Sequence, residues 1–351
     1  MDCKKYFDNF ITFLSNYHAA GTYQFVFIKS LLYLPKQRDG KERQWGSQWI
    51  DRNKNKIEVD LDFLAVPFTK YYWDMFYKFR LRQAAVGNQY GDKDVNIHKF
   101  FEKNYLQKQN IDEKPPKDLE DLADDKFAPL RKDVIRKSMR EVLRALNDKG
   151  FWQKYPTTKR NPKTGRKLGY IPITLPLKFD IEQIEFFQTY DKILENAVNY
   201  ELTLHLEKIN KFVPQVAKKV LIEIPRGNLP DKEKKEYKKL YKNQFFTCFY
   251  CNKEFQVGEN QPARDHVVPF DYVLSDELYN SVPACKTCNA KKSNLLPDEE
   301  ILKEVIKRNE TLKNTEGYTQ KEFEKLYRYC KERYHGDRPL FHFQYNRDVA
   351  I

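Results

Sequence analysis

Two short stretches decide how this chain is read: Cys248-Phe249-Tyr250-Cys251 and Cys285-Lys286-Thr287-Cys288, a pair of Cys-x-x-Cys motifs with 33 residues between them. Paired thiols at such spacing supply four soft ligands, the number that one closed tetrahedral zinc site takes. Zinc held by four thiolates has no open position for a substrate. Its expected role is structural, and any catalysis must come from other residues. The intervening segment is too long for a minimal zinc ribbon. It contains Arg264-Asp265-His266-Val267-Val268-Pro269, an acid beside a potential base. Asn280 follows, and the second pair runs directly into Cys288-Asn289-Ala290-Lys291-Lys292.

Taken in order, Cys-x-x-Cys, Asp-His-Val-Val-Pro and Asn-Ser-Val-Pro-Ala-Cys-x-x-Cys-Asn-x-x-Lys make residues 244–297 resemble the HNH nucleases, the ββα-metal family. The resemblance implies a general base at His266, metal ligands at Asp265 and Asn289, and a loop-steadying role for Asn280. Position 289 carries Asn where some members carry His, which leaves the number and identity of the metal ligands open. The residue types suit these roles. Hydrolysis of a phosphodiester needs a base for water and a cation to neutralise the departing 3′ oxygen. The carboxylate of Asp265 and the amide oxygen of Asn289 are hard donors, better matched to Mg²⁺ or Mn²⁺ than to zinc. In a strand over 264–268, Asp265 and His266 would face opposite sides, so ion binding and proton transfer need not compete for one place. A helix over about 285–293 would put Asn289 and Lys292 on one face. Lys292 there either touches a phosphate or faces solvent.

The 351 residues leave room for two or three folded units at roughly 100–200 residues each. With 40% hydrophobic and 15% aromatic residues, the chain can bury a core, which excludes a wholly disordered, collagen-like or low-complexity protein. Lys and Arg outnumber Asp and Glu by 63 to 50, a net charge of +13, which favours polyanionic partners without identifying one. The nuclease-like segment 244–297 holds five basic and six acidic residues, so it has no electrostatic grip of its own. Between 151 and 180, by contrast, seven basic residues stand against Asp180. Lys159, Arg160, Lys163, Arg166 and Lys167, around the turn Asn161-Pro162-Lys163-Thr164-Gly165, are therefore the candidate DNA contacts; the plainer reading is a solvated loop.

The most apolar stretch, Tyr23 to Leu34, is broken by Lys29 and falls short of the roughly 20 residues that span a bilayer. Met1-Asp2-Cys3-Lys4-Lys5 does not open a secretory signal. The expectation is a cytoplasmic protein with no membrane association, whose cysteines stay reduced. Cys3, Cys330, His18, His98, His205, His335 and His342 have no neighbours comparable to those of His266 and are read as ordinary.

Apolar spacing predicts helices from Tyr6 to Leu14, Tyr23 to Leu34, Phe68 to Leu81, His98 to Gln107 and Asp133 to Asn147, with more over 181–219, 231–243, 299–308 and 319–334. Ile57, Val59 and Leu61 alternate briefly, as a strand would. The aromatic run Tyr71, Tyr72, Trp73, Phe76, Tyr77 and Phe79 is read as core rather than as a base-stacking surface. The expected fold class is α+β and predominantly helical. Its parts are a helical N-terminal domain (1–150), a basic hairpin or loop with a helical connector (151–243), a zinc-stapled ββα-metal module (244–297) and C-terminal helices (298–351).

The expected activity is metal-dependent hydrolysis of DNA by an HNH endonuclease in restriction or antiphage defence, with structural Zn²⁺ and catalytic Mg²⁺ or Mn²⁺. The alternative is a non-catalytic, zinc-containing nucleic-acid-binding or assembly module. The N-terminal region would recognise a target or dock a partner protein of a defence system. Because one such module cuts one strand, double-strand cleavage would call for two, through a homodimer.

Overall fold

The computed structural model describes residues 3–15, 21–33, 50–53, 56–84, 95–101, 124–140, 142–143, 158–164, 167–170, 176–222, 231–239, 245–256, 262–312, 318–335 and 340. They fall into two units, Met1–Asn210 and Lys211–Ile351. Among the described residues no helix is long and apolar enough to cross a membrane.

In the first unit, α1 (Cys3–Ser15) and α2 (Tyr23–Leu32) follow the expected periodicity. Strands β1 (Ile50–Asn53) and β2 (Lys56–Val59) come next. The helix read from Phe68 starts earlier, as α3 (Leu61–Trp73), because Asp60 caps it by accepting the Asp62 N–H at 2.9 Å; the helix runs on as a π turn to Lys78. Its aromatic stripe is core: Phe68, Tyr72 and Trp73 are fully buried. Two further helices are α4 (Asn96–Phe101) and α5 (Asp124–Val134), and α5 continues as a π turn to Met139. The reading of helix as far as Gln107 and Asn147 extends outside the described residues.

The basic turn is a hairpin of β3 (Thr158–Arg160) and β4 (Lys167–Tyr170). Asn161 Oδ1 accepts the N–H groups of Lys163 and Thr164 at 2.9 and 3.1 Å, the local bonding that makes Asn a turn residue. Strand β5 (Leu177–Asp180) pairs with β2 to complete an antiparallel sheet in the order β1-β2-β5. Helices α6 (Ile181–Thr189) and α7 (Asp191–Ile209) close the unit.

The second unit begins with α8 (Val216–Leu221) and the polar α9 (Asp231–Lys239). Strands β6 (Phe245–Thr247) and β7 (Glu254–Gln256) form one antiparallel pair. Strand β8 (Ala263–His266) leads through the short α10 (Phe270–Val273) to its antiparallel partner β9 (Ser281–Ala284), and α11 (Lys286–Lys292) follows. Across this second pair Arg264 faces Pro283, Asp265 faces Val282 and His266 faces Ser281.

Proline inside a buried strand needs a reason. The Pro283 carbonyl accepts the Phe249 N–H at 2.9 Å, so the absent N–H of Pro283 points to the same outer side and the β8–β9 ladder loses no bond. Helices α12 (Glu299–Asn309) and α13 (Gln320–Tyr329) are capped by Asp298 and Thr319. Val305 and Phe323 on these helices share one buried cluster with Val267, Tyr272 and Val282, which fixes the ββα segment against them.

Candidate functional site

The four paired cysteines converge. Asn252 takes a left-handed conformation (φ 52°), and its N–H bonds to the Cys248 carbonyl at 2.9 Å, turning the chain between β6 and β7. Cys285 is the N-cap of α11; its Sγ accepts the Cys288 N–H at 3.4 Å, while Cys248 Sγ accepts the Cys285 N–H at 3.3 Å. All four Sγ atoms lie within 4.8 Å of one another. A zinc–sulfur bond of about 2.3 Å gives a tetrahedron with edges of about 3.8 Å, so the donor set fits one ion with a small contraction. All four thiols are free. Burial pushes the Cys248 and Cys288 thiols up, so ionised sulfurs here need a cation to hold them. The cluster therefore suits a structural metal that pins α11 to the β6–β7 turn.

Alternation along β8 separates its side chains. Asp265 points inward and is 6% exposed. Its Oδ2 accepts a hydrogen bond from the Tyr250 hydroxyl and lies 3.0 Å from Lys292 Nζ. Burial first, then the Asp265 charge, push the Tyr250 phenol well up, so it stays a donor. Among the described residues nothing bonds to Asp265 Oδ1. Lys292 corrects both readings of it from sequence: it is fully buried, touching neither solvent nor any place a phosphate could reach. Its Nζ donates to the His266 carbonyl at 2.7 Å as well as pairing with Asp265. A buried carboxylate needs such a partner, since an unpaired charge in the interior costs several kcal/mol.

Arg264 and His266 share the other face of β8. Both meet Asp276, in the segment between α10 and β9: Arg264 Nη2 is 2.5 Å and His266 Nε2 2.9 Å from the same oxygen, Oδ1. The Phe270 ring lies 5.1 Å from the imidazole. Burial above all, with Arg264 nearby, lowers the His266 pKa, against the opposing pull of Asp276 and Asp265. Asn280 braces the turn beyond. Its side chain accepts the Val268 N–H at 2.8 Å and donates to the Val268 carbonyl at 2.9 Å, and its own carbonyl accepts the Val267 N–H at 2.9 Å.

These residues open onto a cleft of about 380 Å³ lined by Arg264, Asp265, His266, Asp276, Asn289 and Ser293, among others. Asn289, half-buried on α11, lines the same cleft as Asp265. Two hard oxygen donors with room around them fit an ion such as Mg²⁺, which keeps several of its waters. At the rim Ser293 has φ 46° and ψ −124°, and the Leu295 N–H bonds to the Lys292 carbonyl at 2.8 Å. This is a turn whose first central position ordinarily calls for glycine.

Residues 248–295 match the family model described as HNH endonuclease. That span takes in both cysteine pairs, β8, β9 and α11, and associates this segment with nucleases. No curated protein and no solved structure matches the chain.

The cleft thus brings together Asp265, His266 and Asn289, with Asn280 supporting the turn behind them. It also contains Asp276, which sequence reasoning missed: it stands ten residues from His266 in no recognisable spacing. Tyr250, hidden inside the first Cys-x-x-Cys, had no sign of its role either. The basic cluster belongs to the other unit. There Lys163 is exposed, the side chains of Lys159, Arg160 and Lys167 are not among those described, and Arg166 lies outside the described residues.

Proposed function

We propose that this protein is a metal-dependent endonuclease that hydrolyses DNA phosphodiester bonds, in restriction or antiphage defence. The observation that carries the reading is the cleft, where an imidazole, a carboxylate and an amide oxygen meet beside a four-sulfur cluster. His266 would take the proton from the attacking water. Asp265, through Oδ1, and Asn289 would hold Mg²⁺ or Mn²⁺, which when bound neutralises charge on the departing 3′ oxygen. Zinc on Cys248, Cys251, Cys285 and Cys288 would keep α11, and with it Asn289, in place. Asn280 keeps the β8 end from shifting.

A second reading, a non-catalytic nucleic-acid-binding or assembly module, draws support from the Asp265–Lys292 ion pair, since that contact would serve the fold equally well. Nicking of supercoiled plasmid decides between them. Wild-type protein should convert plasmid to the nicked form with Mg²⁺ or Mn²⁺ and leave it intact with EDTA. No cleavage with either ion, together with retained DNA binding in a gel shift, would sink the nuclease reading.

Substrate attraction in this reading comes from the β3–β4 hairpin with Lys159, Arg160, Lys163, Arg166 and Lys167, because the nuclease segment is nearly neutral. Log affinity for duplex DNA falls with log salt by about 0.9 per phosphate neutralised. Replacing three of the five with Ala should weaken binding and flatten that slope. An unchanged slope would show that the hairpin is simply a charged surface.

A further inference from the structure

We infer that Asp276 is a positioning residue for His266, holding the imidazole with its proton on Nε2 so that Nδ1 is the nitrogen left to accept a proton. An ionised carboxylate can only accept hydrogen bonds, so the ring nitrogen 2.9 Å from Asp276 Oδ1 must be the donor. In a neutral imidazole the remaining lone pair then sits on Nδ1.

The carboxylate is itself fixed. Arg264 Nη2 donates to the same oxygen at 2.5 Å, and the Asp276 side chain is only 9% exposed. The two-residue repeat of a strand puts Arg264 and His266 on one face of β8, so both can reach this acceptor from adjoining positions. The ring has little freedom to turn away. Its backbone is held by Lys292 through the His266 carbonyl at 2.7 Å, and Phe270 packs 5.1 Å from it. Arg264 also offsets the negative charge that Asp276 brings to the imidazole. Asp276, held in place by Arg264, thus determines which nitrogen of His266 is basic, and Phe270 limits how far the ring can turn.

The tautomer assignment stands on geometry alone; its consequence for catalysis rests on the nuclease reading, and two separate measurements follow. The first uses ¹⁵N-labelled full-length protein at mildly alkaline pH, recording long-range ¹H–¹⁵N spectra of the imidazoles. The His266 resonances, identified by their loss in His266→Ala, should show a protonated Nε2 and an unprotonated Nδ1. Asp276→Ala should convert this to a mixture. The second measures plasmid nicking. Asp276→Ala should lower kcat about 10²-fold, the scale of a misplaced reacting group, with KM changed less than about twofold.

Zinc content and melting temperature establish that the variant is folded; if it is not, the wild-type spectrum alone decides. A wild-type His266 protonated on Nδ1, or an Asp276→Ala protein with the wild-type spectrum and kcat, would overturn the inference. Wild-type protein that cuts nothing would instead defeat the nuclease reading, while the spectrum would still settle the tautomer.

Discussion

His266→Ala should lose about 10²- to 10⁴-fold in cleavage rate, the usual contribution of a positioned general base, while its zinc content, melting temperature and DNA affinity stay near wild type. The imidazole is a boundary side chain, 14% exposed, so its removal opens the cleft without emptying the core. The wild-type pH profile should carry a related mark. Because burial lowers the His266 pKa from its ordinary 6.5, the neutral, proton-accepting form persists below that value. The acid limb of the profile should therefore lie below pH 6.5 and disappear in the variant. Asp265 should fail in a different way, with a defect that changes with the identity and concentration of the divalent ion. Asp265→Asn is the informative substitution, since its amide oxygen can still accept from Tyr250 and Lys292 where Ala offers nothing; both remove the counter-ion of buried Lys292, so a loss of stability of up to about 3–5 kcal/mol accompanies either. A His266→Ala protein that cuts at the wild-type rate under saturating Mg²⁺ would defeat the mechanism.

Removal of the structural metal should have the largest effect on stability. Four-thiolate sites contribute apparent free energies on the order of 10 kcal/mol or more, comparable to the whole stability of a domain. Elemental analysis should find about one zinc per chain. Prolonged chelation, or Cys285→Ser, should abolish the cooperative melting of the Lys211–Ile351 unit. Cys285→Ser is the sharper test because serine can still cap α11, so the loss reports the missing sulfur ligand. A metal-free protein with an unchanged melting curve would remove the zinc centre from the account.

The cysteine pairs and the Asp-His dipeptide were legible in sequence because ligand spacing and strand alternation are local rules. The cluster Cys248, Cys251, Cys285 and Cys288 and the opposed faces of Asp265 and His266 follow from them. The aromatic run around Trp73 was likewise legible as core from its helical period. What escaped depends on contacts between distant segments. Asp276 gains its place only when the turn after α10 folds back over β8, and Lys292 is buried because Asp265 on another element needs a cation. Strand β5 alternates buried Leu177 and Phe179 with exposed Lys178 and Asp180, but four residues are too few for that alternation to stand out, and pairing with β2 is what defines it. The start of α3 was missed for a local reason: the aromatic spacing that marks the helix begins at Phe68, whereas the Asp60 side chain caps it seven residues earlier, at Leu61.

Pro283 has a further consequence, for assembly. The free edge of a two-stranded sheet normally invites another strand, from a neighbouring molecule or from an exchanged copy of the same segment. Along the outer side of β9 the Ser281 carbonyl is taken by Arg308 and the Pro283 carbonyl by Phe249, and proline has no hydrogen to offer. A visiting strand would find its acceptors used and a donor missing, so this edge is closed to sheet extension and to strand exchange. If two copies come together to cut both strands of a duplex, as the proposed function would require, the outer edge of β9 is not where they join, and the β8–β9 pair of each copy stays its own.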